Sequence, residues 1–275
     1  MPELPEVETI CSCLRDDITG ETIKEVWIKK GSRLLRDTVG PRALKKALTG
    51  RKIKALFRRG KYIIMDLEGG GALIIHLGMT GAVYLVDKSD KSPEHTHLRF
   101  ELPGKSLLLV DPRTFGKVVF CKAGEERANV VLSRLAPDPF DESFTKEALL
   151  DRLRGRTLPL KAALLDQQLA VSGLGNIYVD ECCFRAGIRP TRYAGSLDAE
   201  EAGRLHRAIR EVLEEAIRCK GTTIRDYRWA ENSSGEFLEK LKVYGKEGQQ
   251  CSCGRTIEKT RVRDRSTHFC PGCQK

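Results

Sequence analysis

The chain opens Met1-Pro2-Glu3-Leu4-Pro5-Glu6-Val7-Glu8. A methionine before a small residue is normally trimmed, which leaves Pro2 with a free secondary amine. Such an amine attacks an aldehyde carbon and forms an iminium, the chemistry of a Schiff-base lysine. Glu3 stands beside it as a candidate general acid/base. Pro5 suits the first turn of a helix. Val7, Ile10, Cys11 and Leu14 then recur at helical spacing, while Glu3 and Glu6 share a different face. An ordinary helix whose first-turn acids complement its dipole accounts for the same letters.

A second constellation closes the chain. Cys251-Ser252-Cys253 and Cys270-Pro271-Gly272-Cys273 have the residue types and separation of a tetrahedral zinc site on a β-hairpin. A module of ~30 residues cannot bury enough to fold alone, so a metal staple makes physical sense. The first pair has one residue between its cysteines, and Gln250 occupies the place where a first ligand normally falls. Between the pairs the chain is basic: residues 251–275 hold six Lys/Arg and two acids, a balance of +4. Arg261 and Arg263 alternate on a predicted strand, and Arg265 lies near its turn.

Gly173-Leu174-Gly175-Asn176 stands directly before a predicted helix. Its glycines allow close backbone approach, Asn176 can cap the helix, and the helix amides can then meet a phosphate. Arg156 and Lys161 are candidate phosphate contacts nearby. Arg51 to Tyr62 carries six basic residues and no acid, ending Arg58-Arg59-Gly60-Lys61-Tyr62. An edge strand guarded by charge explains that stretch equally well. In His95-Thr96-His97, His95 is a candidate phosphate ligand and His97 a structural residue.

The elements that position these residues change character along the chain. Thr22 to Lys29, Lys61 to Leu67, Ala72 to Leu77, Ala82 to Val86, Leu98 to Leu102, Leu107 to Val110 and Lys117 to Phe120 are short β-type runs with turns between them, as in a sandwich or barrel. Pro41 to Leu48 reads as a short helix. Ala136-Pro137-Asp138-Pro139-Phe140 is a stiff linker. Helices are predicted over Glu147 to Leu153, from Pro159, over Ile177 to Ala186, and over Asp198 to Lys220. The last carries an apolar face, an Asp198/Glu201 capping box and Gly221 as its stop. Gly221 to Glu239 returns to a polar loop, a length that is often functional. The division expected is 1–133 for the β-rich domain, 134–145 for the linker, 146–244 for the helical domain and 245–275 for the terminal module.

With 48 basic and 38 acidic residues, the formal charge of the 275-residue chain is +10, which suits a polyanionic partner. Ten cysteines without a signal peptide read as four metal ligands plus buried free thiols in a reducing compartment. No apolar run approaches a membrane span. The expectation is a cytosolic protein.

These motifs, in this order and spanning essentially the whole chain, resemble the formamidopyrimidine-DNA glycosylases, a family of base-excision repair enzymes. Leu4 favours the purine-lesion branch over the endonuclease VIII branch, which usually begins Pro-Glu-Gly-Pro-Glu. The resemblance implies an α+β multidomain fold: an N-terminal β-sandwich with an N-terminal helix, a helix-two-turn-helix domain and a zinc-finger β-hairpin. It implies a bifunctional DNA glycosylase and AP lyase acting as a monomer on double-stranded DNA in the bacterial cytosol, associated with the nucleoid. Pro2 would be the nucleophile, with Glu3, Glu6, Lys61 and Arg265 in proton transfer, and with zinc on Cys251, Cys253, Cys270 and Cys273.

The resemblance also picks out a wedge. His76-Leu77-Gly78-Met79-Thr80-Gly81 is similar to the loop that presents a methionine. Asp111-Pro112-Arg113-Thr114-Phe115-Gly116 is similar to the loop that presents an arginine and a phenylalanine. An enzyme that cuts a base from duplex DNA must flip it out and fill the hole. Met79 and Phe115 would fill it, and Arg113 would hold the orphaned cytosine. The loop from Thr222 to Gly235 would cover the flipped base. Two other readings remain: an endonuclease VIII-like enzyme for oxidised pyrimidines, and a non-catalytic DNA- or RNA-binding module.

Overall fold

The computed structural model describes residues 1–125, 130–222 and 235–275. The chain divides into two compact units, Met1–Ser133 with Thr222–Gly235, and Arg134–Gly221 with Glu236–Lys275.

Unit 1 begins with helix α1 (Leu4–Ile18), which Glu3 caps. Pro5 lies in its first turn, where a missing N–H costs nothing. Val7, Ile10, Cys11, Leu14 and Ile18 are buried, so the predicted stripe is the packed face. Two antiparallel four-stranded sheets follow. One has the order β1 (Glu25–Ile28), β6 (Thr96–Glu101), β7 (Lys105–Val110), β5 (Ala82–Asp87); the other β2 (Ile53–Arg59), β3 (Tyr62–Leu67), β4 (Ala72–His76), β8 (Lys117–Cys121). Their apolar residues and the α1 stripe share one core, including Val26, Leu56, Ile63, Leu73, Leu98, Phe100 and Val118. Helix α2 (Pro41–Leu48) contributes Leu44 and Leu48 to it. A short helix, α3 (Val130–Ser133), follows the sheets.

Two differences from the sequence pattern have physical causes. Thr22 to Lys29 is not one strand: Thr22 bridges Lys52 beside β2, whereas Glu25 to Ile28 pairs with β6. The segment passes from one sheet to the other at a corner, as sandwich strands do. The basic stretch after Arg51 proves to contain β2, an edge strand with a register shift between Ile53 and Ala55; Lys52 and Lys54 are exposed as charge guarding an edge requires, but Arg58 pairs with Glu8 and Lys61 is buried.

Unit 2 contains α4 (Lys146–Leu153), α5 (Leu160–Leu165), α6 (Asn176–Ala186), α7 (Ala199–Arg218) and the hairpin β9 (Glu258–Val262) and β10 (Arg265–Phe269). The capping box at α7 is present: Glu201 N donates to Asp198 Oδ1 (2.8 Å), and Asp198 N to Glu201 Oε2 (3.2 Å). The helix stops as Lys220 and Gly221 turn to positive φ. Asp198→Ala should lower stability by about 1 kcal/mol, read as a lower urea midpoint with an unchanged m-value; an unchanged midpoint would remove the cap from the account.

Candidate active site, wedge and metal centre

The start of α1 is tied down by its own acids. Glu3 N donates to Glu6 Oε2 (2.9 Å), half of a reciprocal capping box. The other carboxylate oxygen, Glu6 Oε1, accepts from Thr222 N (2.8 Å) and Thr222 Oγ1 (3.1 Å). Pro2, Glu3 and Glu6 are all buried, while Met1 is about half exposed (49 %). The bonds that cap the helix also hold Glu3 and Glu6, the acids that follow Pro2.

Lys61 belongs to the tight turn between β2 and β3, made by Gly60 at φ +55°. Contacts between α1 and β2 show which end of the helix this turn faces. Arg15 Nε donates to Leu56 O (3.0 Å), and Arg58 Nε pairs with Glu8 Oε2 (2.8 Å). Going from Arg15 to Glu8 therefore goes from Leu56 to Arg58. About 10 Å further along both elements lie the helix start and the Gly60-Lys61 turn. Lys61 is 5 % exposed.

His76, not singled out by its sequence context, completes this cluster. Its ring is 4.9 Å from Tyr62, and Gly78 N donates to its Nδ1 (3.2 Å). Burial, followed by the Lys61 and Lys117 ammonium groups, pushes the imidazole down to about 4. At neutral pH it is uncharged, with its proton on Nε2. Thr222 also escaped the sequence reading as an individual residue. Nothing in its neighbours signals that it meets a carboxylate 216 positions away. The rest of the expected covering loop, 223–234, lies outside the described residues.

The wedge candidates are exposed on a rigid base. Met79 is 39 % and Phe115 49 % exposed, and Arg113 Cζ lies 5.0 Å above the Phe115 ring. Exposed large apolar side chains grouped in this way call for a partner. His95 sits at φ +65° just before β6, with Glu94 3.5 Å from its Nε2. His97 is enclosed between Ser32 Oγ (2.8 Å) and Asp111 O (3.2 Å). A separate cavity of about 790 Å³ opens along β2 and β3 among Lys54, Phe57, Arg59, Asp66 and Leu132. None of the candidate residues lines it.

In unit 2, two expectations are corrected. Lys161 is not presented to a phosphate. Its side chain is wholly buried, with Nζ 2.7 Å from Asp180 Oδ1 and 2.6 Å from Ser266 O. A position in the first turn of α5 sends the lysine across to α6 and the hairpin. Asn176 is not the cap of α6. Gly175 is, and Asn176 is the first helical residue. Its Nδ2 reaches Tyr244 Oη at 3.4 Å, and its buried Oδ1 has no hydrogen-bond partner among the described residues. Arg156 is exposed in the turn after α4.

The acids Asp180 and Glu181, adjacent and buried in the middle of a mostly apolar helix, were the missed signal. Asp180 Oδ2 accepts from His268 N (2.9 Å), joining α6 to β10. Glu181 accepts from the amides of Lys242 (2.8 Å), Val243 (2.9 Å) and Tyr244 (2.9 Å). Its burial raises the carboxyl above the usual range, against the pull of those amides. Arg265, exposed at the start of β10, is carried by this anchored hairpin.

The four cysteines converge. One Sγ from each of Cys251, Cys253, Cys270 and Cys273 lies within 4.8 Å of all the others. Cys251 and Cys273 are 3.7 Å apart, and Cys253 and Cys270 3.4 Å. Sulfurs around a tetrahedral zinc stand about 3.8 Å apart, so the set fits that ion. The one-residue spacing does not keep Cys251 out. Burial raises its thiol, but hydrogen bonds from the Cys253 amide and the neighbouring thiols and Ser252 outweigh this and bring it down to about 7. A Cβ at Gly272 would lie 2.7 Å from Arg255 Cγ and 3.1 Å from Cys253 Sγ, so a side chain there would crowd the cysteine cluster. Zinc bound to these thiolates would staple the hairpin.

Family models match along the chain: the formamidopyrimidine-DNA glycosylase N-terminal domain over 1–118, the helix-two-turn-helix domain of the same glycosylases over 135–228, and a zinc finger shared with isoleucyl-tRNA synthetases over 252–275. The fold and site define a multidomain α+β protein with a β-sandwich, a helix-two-turn-helix domain and a zinc-finger hairpin. The chain belongs to the formamidopyrimidine-DNA glycosylase family. It is 42 % identical to the Desulfitobacterium hafniense formamidopyrimidine-DNA glycosylase over the full length of both. It is 44 % identical to that of Thermus thermophilus, covering 100 % of this chain and 98 % of the relative. Among solved structures, a point mutant of the Lactococcus lactis enzyme in complex with Fapy-dG-containing DNA superposes with a TM-score of 0.92 at 37 % identity, covering all of both chains. The Thermus thermophilus protein gives 0.87 at 42 % identity, covering 99 % and 98 %. No helix among the described residues is long and apolar enough to cross a membrane.

Two outcomes test this geometry. The folded pKa of His76 lies below the unfolded value of about 6.5, so only the unfolded chain takes up its proton between these pH values. Stability should therefore fall as pH drops from about 6.5 to about 4, by up to about 3 kcal/mol from this group. His76→Gln should flatten that part of a urea-stability profile, and an unchanged slope would refute the assignment. One zinc per chain should be found by elemental analysis. Its removal by a chelator, or Cys270→Ser, should lower the unfolding temperature; full stability without metal would contradict the stapling role.

Proposed function

We propose that the protein is a bifunctional DNA glycosylase and AP lyase of base-excision repair, which removes 8-oxoguanine and formamidopyrimidines from duplex DNA in the bacterial cytosol, on the nucleoid, as a monomer. The observation that carries this reading is the buried Pro2-Glu3-Glu6 start of α1, held by Thr222 in a chain of the family. The complex of the Lactococcus lactis relative with Fapy-dG DNA supports the substrate class.

In the proposed reaction Met1 is removed first, and the freed Pro2 nitrogen attacks the sugar C1′. Glu3 supplies a proton as the ring opens, and the damaged base departs with the electron pair of its glycosidic bond. The resulting iminium links Pro2 to DNA and acidifies the C2′ proton. Loss of that proton expels the 3′ phosphate, and a second elimination expels the 5′ phosphate. Lys61, in the β2–β3 turn, contributes charge that favours the free amine form of Pro2. Glu6 shares in proton transfer, and Arg265 assists the last step while meeting phosphate. Met79, Arg113 and Phe115 occupy the vacated stack, His95, Arg156 and Asn176 meet the DNA backbone, and the 222–235 loop covers the extruded base. The domain division 1–133, 134–145, 146–244 and 245–275 is part of the same reading.

Borohydride trapping with an 8-oxoguanine:cytosine duplex should yield a covalent adduct that maps to an N-terminal Pro2. Pro2→Gly should bind the duplex yet lose at least 100-fold in strand cutting, in line with loss of the attacking group. A trimmed wild-type chain that binds but gives no adduct would favour the binding-module reading. Preference for thymine glycol over 8-oxoguanine would favour the pyrimidine-lesion reading.

A further inference from the structure

Asp111 is wholly buried, and its carboxylate accepts from three neutral donors. Oδ1 receives Thr80 Oγ1 (2.7 Å) and Arg113 N (3.3 Å), and Oδ2 receives Gly116 N (2.8 Å). We propose that Asp111, through Thr80, is the positioning residue that makes Met79, Arg113 and Phe115 a single inserting unit. The proposal rests on the DNA-repair reading above.

Burying a carboxylate is costly unless its lone pairs are filled. A serine or asparagine would be enough to close one turn. A carboxylate offers two oxygens on diverging sides, and here the two serve different backbone points. Gly116 N and Arg113 N bracket the segment that bears Arg113 and Phe115, while Thr80 directly follows Met79. One buried group thus ties both loops at the residues next to all three exposed tips.

The loops also touch through their backbones. Gly78, at φ +62°, leaves no room for a side chain, because a Cβ there would lie 2.6 Å from Phe115 C. Between the two Asp111 anchors, Thr114 sits at φ +57°. A threonine holds that conformation only where its surroundings over-determine it. The backbone of Asp111 extends the device to the phosphate-contact candidate, since its N donates to His95 O (3.0 Å). Loops bearing exposed apolar side chains would otherwise fold those side chains back on the surface. A rigid base keeps them erect before any hole in the duplex exists, so the ordering is done in advance of insertion.

The test compares wild type, Thr80→Val and Thr80→Ser in two reactions: excision from an 8-oxoguanine:cytosine duplex, and cleavage of a preformed abasic site in single-stranded DNA. The second needs no stack to be filled. In T80V the ratio of duplex excision to single-strand cleavage should fall at least tenfold, while T80S, which keeps the hydroxyl, should stay within about twofold of wild type. Fluorescence of 2-aminopurine placed opposite the lesion should show a smaller rise on binding T80V. Equal losses in both reactions, or T80V with the wild-type ratio, would overturn the proposal. Should T80V not fold, Thr80→Ala deletes the same hydroxyl and is read in the same way. Wild type that neither binds nor cuts either DNA would overturn the repair reading and this proposal together.

Discussion

The constraint on which the catalytic unit depends is the filling of one buried carboxylate. Glu6 has no solvent to satisfy it. It takes the amide of Glu3 on one oxygen and the amide and hydroxyl of Thr222 on the other. Hydrogen bonds to a charged group are each worth about 1.5–3 kcal/mol, and an unfilled buried acceptor costs as much. The start of α1 therefore has one low-energy arrangement. Chain ends are ordinarily the least ordered part of a protein; here Pro2, Glu3 and Glu6 are buried, and the Glu6 carboxylate is tied to Glu3 and Thr222.

The same physics recurs elsewhere in the molecule. Asp111 gathers two loops of unit 1 onto one carboxylate, and in unit 2 Asp180 and Glu181 collect Lys161, the His268 amide and three consecutive amides from Lys242 to Tyr244. Glu6 and Glu181, on helices, capture the backbone of irregular segments, Asp180 ties the strand β10 to α6, and Asp111, just past β7, ties two loops together. Loops that would pay heavily in conformational entropy are held by groups that cannot tolerate their absence. The zinc ligands extend this arrangement where the chain is too short to build a core.

The basic residues divide along the same line. Lys161, read from sequence as a phosphate contact, is wholly buried against Asp180, and Arg58, from the basic stretch read as a charged edge strand, is largely buried against Glu8. Arg156 and Arg265 remain exposed. A net charge of +10 measures the attraction available to a polyanion. It does not say which cations meet it.

Much was legible in the amino-acid order. The α1 stripe, the short strands, the α7 capping box and the cysteine pairs are local signals, set by periodicity, turn chemistry and ligand spacing within a few residues. The order of motifs was enough to place the chain in its family. What the sequence could not decide were partners far apart along the chain: Thr222 for Glu6, Asp180 for Lys161, His76 beside Lys61, and the transfer of the Thr22 segment between sheets. No local rule encodes these pairings. They arise because the two elements are packed together, and burial then requires every polar group to find whichever donor or acceptor the packing has brought near. The sequence determined which chemistry the chain carries and on which elements. The tertiary structure alone decided which charges are spent inside the protein and which are left to act outside it.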